Sequence, residues 1–94
     1  MTINEFTASL QANNPPAGLS EVLLALWHDG RGDWEGAHTI AQDVHTQEGS
    51  WVHAYLHRKE GDDFNAGYWY RKAGQPAFQG TLEEEWMHIV TALL

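Results

Sequence analysis

His53 and His57 stand four residues apart. On a helix that spacing puts both imidazoles on one stripe, where they can grip a single metal ion, and imidazole suits zinc, copper or nickel. Two ligands do not make a site. His38 and His45, seven apart, fall on one face of the preceding predicted helix, and His28 closes the helix before that, beside Asp29. If the helices stack as consecutive hairpins, two of these stripes converge, and His28, His38, His53 and His57 become the candidate set for a divalent metal. Neither a His-Glu-x-x-His motif nor a cysteine cluster accompanies them. The simpler reading therefore has the imidazoles capping helix ends, bonding to nearby carboxylates or facing water.

Other chemistry is weaker still. Ser50 precedes His53 by three residues, yet no acid is in view to orient that base, and a hydroxyl at this point reads better as a helix cap. The run Glu83-Glu84-Glu85 follows Thr81, where negative charge favours the start of a helix, so it reads as a solvated first turn rather than an acid/base pair. Gly30-Arg31-Gly32 lacks the strand and the lysine that a phosphate loop needs. No catalytic residue is assigned.

Aromatic residues offer a binding surface instead. Tyr68-Trp69-Tyr70 occupies three successive helical positions that span about 200° of a helix surface, so the three rings cannot all face one core. At least one should line a groove or an interface, where a ring with a polar tip is favoured. Trp51, Tyr55 and Arg58 form a neighbouring stripe on the helix before. A groove lined by Trp51, Tyr55, Arg58, Tyr68, Trp69 and Arg71 would take a protein or peptide, with the two arginines supplying orientation as well as charge. The competing expectations are that both arginines pair with acids such as Glu60 and Asp62, or that the exposed aromatics pair with each other in a homodimer.

The elements that would carry these residues follow from a repeated spacing. Ala25, His28, Gly32, Asp33 and Ala37 recur 29 residues later as Ala54, His57, Gly61, Asp62 and Ala66. In each copy the glycine stops one helix in the left-handed conformation and the aspartate caps the next. Six helices are predicted. The first runs from Ile3 to about Gln11 behind a Thr2/Glu5 capping box, and the second from Ser20 to about Asp29. The third runs from Asp33 to near Gln47, where Gly49 or its neighbours break it. The fourth covers about Ser50 to Glu60, the fifth Asp62 to Lys72 with a stop at Gly74. A Thr81/Glu84 capping box opens the last, whose stripe is Leu82, Trp86, Ile89, Val90 and Leu93.

The stretch Lys59-Glu60-Gly61-Asp62-Asp63-Phe64-Asn65-Ala66-Gly67-Tyr68-Trp69-Tyr70-Arg71-Lys72-Ala73 resembles the second half of a tetratricopeptide or Sel-like repeat. The resemblance extends over Ser20 to Gly74 and is most specific from Gly61 to Ala73. It implies an all-α fold of helical hairpins with flanking terminal helices, acting as a scaffold for partners, with Ala66 allowing close helix approach. It implies no catalytic residue. The 29-residue period is shorter than usual for tetratricopeptides, and two units are fewer than a free-standing array normally needs.

Composition bounds the rest. Ninety-four residues suit one small helical domain, residues 1–94. Five basic residues against 13 acidic ones give a net charge of −8, which disfavours nucleic acid and anionic membranes as partners. Charging all six histidines would move it to −2. The absence of cysteine excludes disulfides and thiolate sites. No cofactor is expected outside the metal alternative, and with no leader or spanning segment in view the expected address is the cytoplasm.

Overall fold

The computed structural model describes residues 1–94 and contains six helices and no strand: α1 (Ile3–Ser9), α2 (Glu21–Gly30), α3 (Trp34–Gln42), α4 (Gln47–Lys59), α5 (Asp63–Ala73) and α6 (Leu82–Leu93). Each helix starts at a residue whose side-chain oxygen accepts from a first-turn N–H: Thr2, Ser20, Asp33, Thr46, Asp62 and Thr81. Both expected capping boxes form, Thr2 with Glu5 and Thr81 with Glu84.

The two Gly-Asp corners have the same backbone. Gly32 and Gly61 take φ of +86° and +89°, a conformation that costs an L side chain, and Asp33 and Asp62 follow at φ/ψ of −100°/75° and −98°/76°. In each, the aspartate N–H donates to the histidine carbonyl five residues back, His28 or His57, at 2.9 Å. The corners turn α2 back on α3 and α4 back on α5, and α3 also packs on α4. Helix α6 closes the bundle against α1, α2 and α4. Ala25, Ala37, Ala54 and Ala66, the repeated small residues, are all buried. No helix is long and apolar enough to cross a membrane.

The expected boundary between the third and fourth helices is wrong. Helix α3 ends at Gln42, and Thr46 caps α4 by accepting from Gly49 N at 3.1 Å. Ser50 is therefore not a cap. It is buried inside the helix, with its N–H bonded to Thr46 O at 3.0 Å. Gly49 is not a breaker either: it lets the first turn of α4 press on the Val44 carbonyl, which a Cβ would strike. His45 consequently lies in the α3–α4 link and not on a helical face with His38.

Candidate metal centre

Packing of α3 on α4 brings three imidazoles together. His38 lies one turn beyond Trp34 on α3, and the two rings stack with centroids 4.9 Å apart and an interplanar angle of 9°. The indole N–H of Trp34 donates to Leu56 O at 2.8 Å, which ties that stack to α4. On α4, His53 and His57 occupy successive turns and stack on each other at 4.7 Å. His38 meets both edge-on, at 4.7 and 5.4 Å between centroids, and its Nε2 is 3.0 Å from Nε2 of His53. One nitrogen from each ring falls within 4.8 Å of the others. Zn–N bonds of about 2.0–2.1 Å at tetrahedral angles place ligand nitrogens about 3.3 Å apart, so small side-chain movements would close this triangle on an ion. From α5, Trp69 stacks on His53 at 4.0 Å.

The electrostatics of His38 and His53 favour the neutral form that ligates. Burial, then the neighbouring His57 and His38, pushes the pKa of His53 down to about 4. His38 is also lowered, by burial and by His57, against an opposing pull from Glu60. Nδ1 of His57 is 2.8 Å from Oε1 of Glu60, which leaves Nε2 as its free nitrogen. A carboxylate on the far nitrogen is the usual means of fixing the tautomer and orientation of a metal-binding histidine. Asp62 is also close to His57, yet its oxygens accept from Asn65 N and Nδ2 at 3.2 and 2.6 Å, so they are committed to capping α5.

No family model, curated protein or solved structure matches the chain.

Of the four histidines expected to converge, the structure gathers His38, His53 and His57 and leaves His28 apart. His28 sits at the first corner, edge-on to Trp27, with Nδ1 3.6 Å from Oδ2 of Asp33. The six residues expected to line one groove are also divided. Trp51 is buried and meets His88 edge-on. Tyr55 is buried with its hydroxyl donating to Asp29 at 2.6 Å, while Lys59 reaches the other Asp29 oxygen at 2.8 Å. Arg58 pairs with Glu85 at 2.9 Å and with Gly80 O, and not with Glu60 or Asp62. Tyr68, Trp69 and Arg71 lie on α5, with Tyr68 and Arg71 exposed.

Glu85 corrects the reading of the acidic run. Glu83 and Glu84 are solvated, but Glu85 is fully buried and accepts from both Arg58 and the Tyr70 hydroxyl. Its position on the Leu82–Trp86–Ile89 face was the available signal. Glu60, three residues after His57, was equally visible as an imidazole partner.

Proposed function

We propose that this protein binds a divalent transition metal of the zinc, copper or nickel class through His38, His53 and His57, with Glu60 orienting His57. The 3.0 Å approach of two imidazole nitrogens from different helices, with a third beside them, supports this reading most directly. Imidazoles this close, two of them, His38 and His53, reluctant to charge, suit a cation that neutral nitrogen can share. Calorimetric titration of tag-free protein with Zn²⁺, Cu²⁺ and Ni²⁺ tests it. One ion per chain is expected, with uptake lost in His38→Ala, His53→Ala and His57→Ala and kept in His28→Ala. Absence of uptake, or uptake that survives all three changes, would discard the site.

A second reading has its own observation. Phe64 is 86% exposed and Tyr68 48%, four apart on α5 and followed one turn later by Arg71. This stripe, with Trp69 at its edge, supports docking of a protein or peptide, in keeping with a tetratricopeptide-like hairpin array. A Phe64→Ser/Tyr68→Ser variant that folds but no longer retains a partner would support it, and unaltered partner retention would sink it.

A further inference from the structure

The geometry points to an open coordination position at the three-histidine site, filled from outside by a small oxyanion such as a carboxylate or a phosphonate. This inference rests on the metal reading above. Glu60 is bonded to the far nitrogen of His57, and Asp62 caps α5, so neither acid near His57 is free to complete a four-coordinate ion. Zinc sites closed by protein use four such donors, whereas sites with three keep a position for water or another ligand.

The surroundings then indicate where that ligand enters and what charge it carries. Trp34 covers one face of His38, and Trp69 stacks on His53. His53 also lines a cleft of about 510 Å³ between the α3–α4 link and α5, whose wall includes His45, Gln47, Ser50, Trp69 and Lys72. That space holds more than a single water. Lys72 is one of only five basic side chains, and it has no carboxylate within 4.0 Å; its Nζ rests 5.3 Å from the Trp69 ring centroid and 5.9 Å from that of Tyr68. The three imidazoles bring no negative charge to the ion, and the two acids nearest to them, Glu60 and Asp62, are bonded elsewhere and stand outside its coordination shell. An ion held on His53 and the Lys72 ammonium, both at this cleft, favour an anion there.

Cobalt(II) substitution makes the coordination shell visible. Cobalt-loaded protein would be titrated with acetate and with phenylphosphonate at constant ionic strength, with perchlorate as the weakly coordinating control. A saturable change in the visible d–d bands is expected with the two oxyanions and not with perchlorate. Lys72→Gln, an exposed change that spares the core, should leave cobalt uptake intact and weaken the oxyanion response by about two- to fivefold, the reach of one partly solvated charge. Cobalt bands indifferent to every anion would overturn the open position while leaving the metal reading standing. A response equal in Lys72→Gln would overturn the role of Lys72. Failure to take up cobalt or zinc at all would remove both inferences together.

Discussion

Glu60 touches no other member of the histidine cluster, yet its carboxylate decides which nitrogen of His57 is available. Glu60→Ala should therefore weaken zinc binding by roughly 10–100-fold. The same change should move the unfolding midpoint little, because a pair whose carboxylate is open to solvent contributes about 0–1 kcal/mol. Calorimetry beside thermal denaturation separates the two effects. Proton binding at His53 gives a second expectation, for the metal-free protein. Unfolded, its pKa is 6.5; folded, it is about 4. Well above pH 6.5 the ring is neutral in both states, so its contribution is complete. As pH falls toward 4 the unfolded chain takes a proton that the fold resists, and stability declines. Denaturation midpoints should drop across that window, more steeply in the native sequence than in His53→Asn; a flat profile would contradict the shift. The sequence made the His53/His57 pair legible because four residues is a local distance. It could not show His38 joining them, or Tyr55 turning inward to Asp29, since each depends on which helices meet.

Corners and caps set the elements. Asp33→Ala and Asp62→Ala should each cost about 0.5–2 kcal/mol, measured by chemical denaturation, because each removes the acceptor for a first-turn N–H. Thr46→Ala should cost a similar amount for the same reason. Ser50→Ala should cost less, and the reverse order would place the start of α4 at Ser50 after all. The corners could be read from sequence because glycine and aspartate act through their own backbone and nearest neighbours. The α3–α4 break could not. Val44 continues the apolar spacing of Ala37, Ile40 and Ala41, and Gly49 looks like a breaker, whereas its missing Cβ serves a close approach to the Val44 carbonyl. Ser50 and Thr46 are equivalent as cap residue types, and packing chose between them.

Across the whole molecule, two buried carboxylates join helices that are distant in sequence. Asp29 of α2 receives Tyr55 and Lys59 of α4, and Glu85 of α6 receives Arg58 of α4 and Tyr70 of α5. Glu85→Ala leaves Arg58 and Tyr70 without their acceptor and should destabilise by about 3–5 kcal/mol. A paired Arg58→Met/Glu85→Leu change should recover most of that loss, and denaturation of the two variants would check it. That network was hidden in the sequence because its acid sits in a run of three glutamates of which two are solvated. It also bears on α5, whose only helix-to-helix packing is against α4 and whose link to α6 is the Tyr70–Glu85 hydrogen bond. An element held on one side is the natural unit of sub-global opening. Amide hydrogens of α5 should then exchange with solvent deuterons through a lower-energy fluctuation than those of α4, with the difference shrinking in any variant that ties α5 down. Since Trp69 travels with α5, each such fluctuation would lift the indole from His53, making the breathing of one helix the clock for traffic into the cleft.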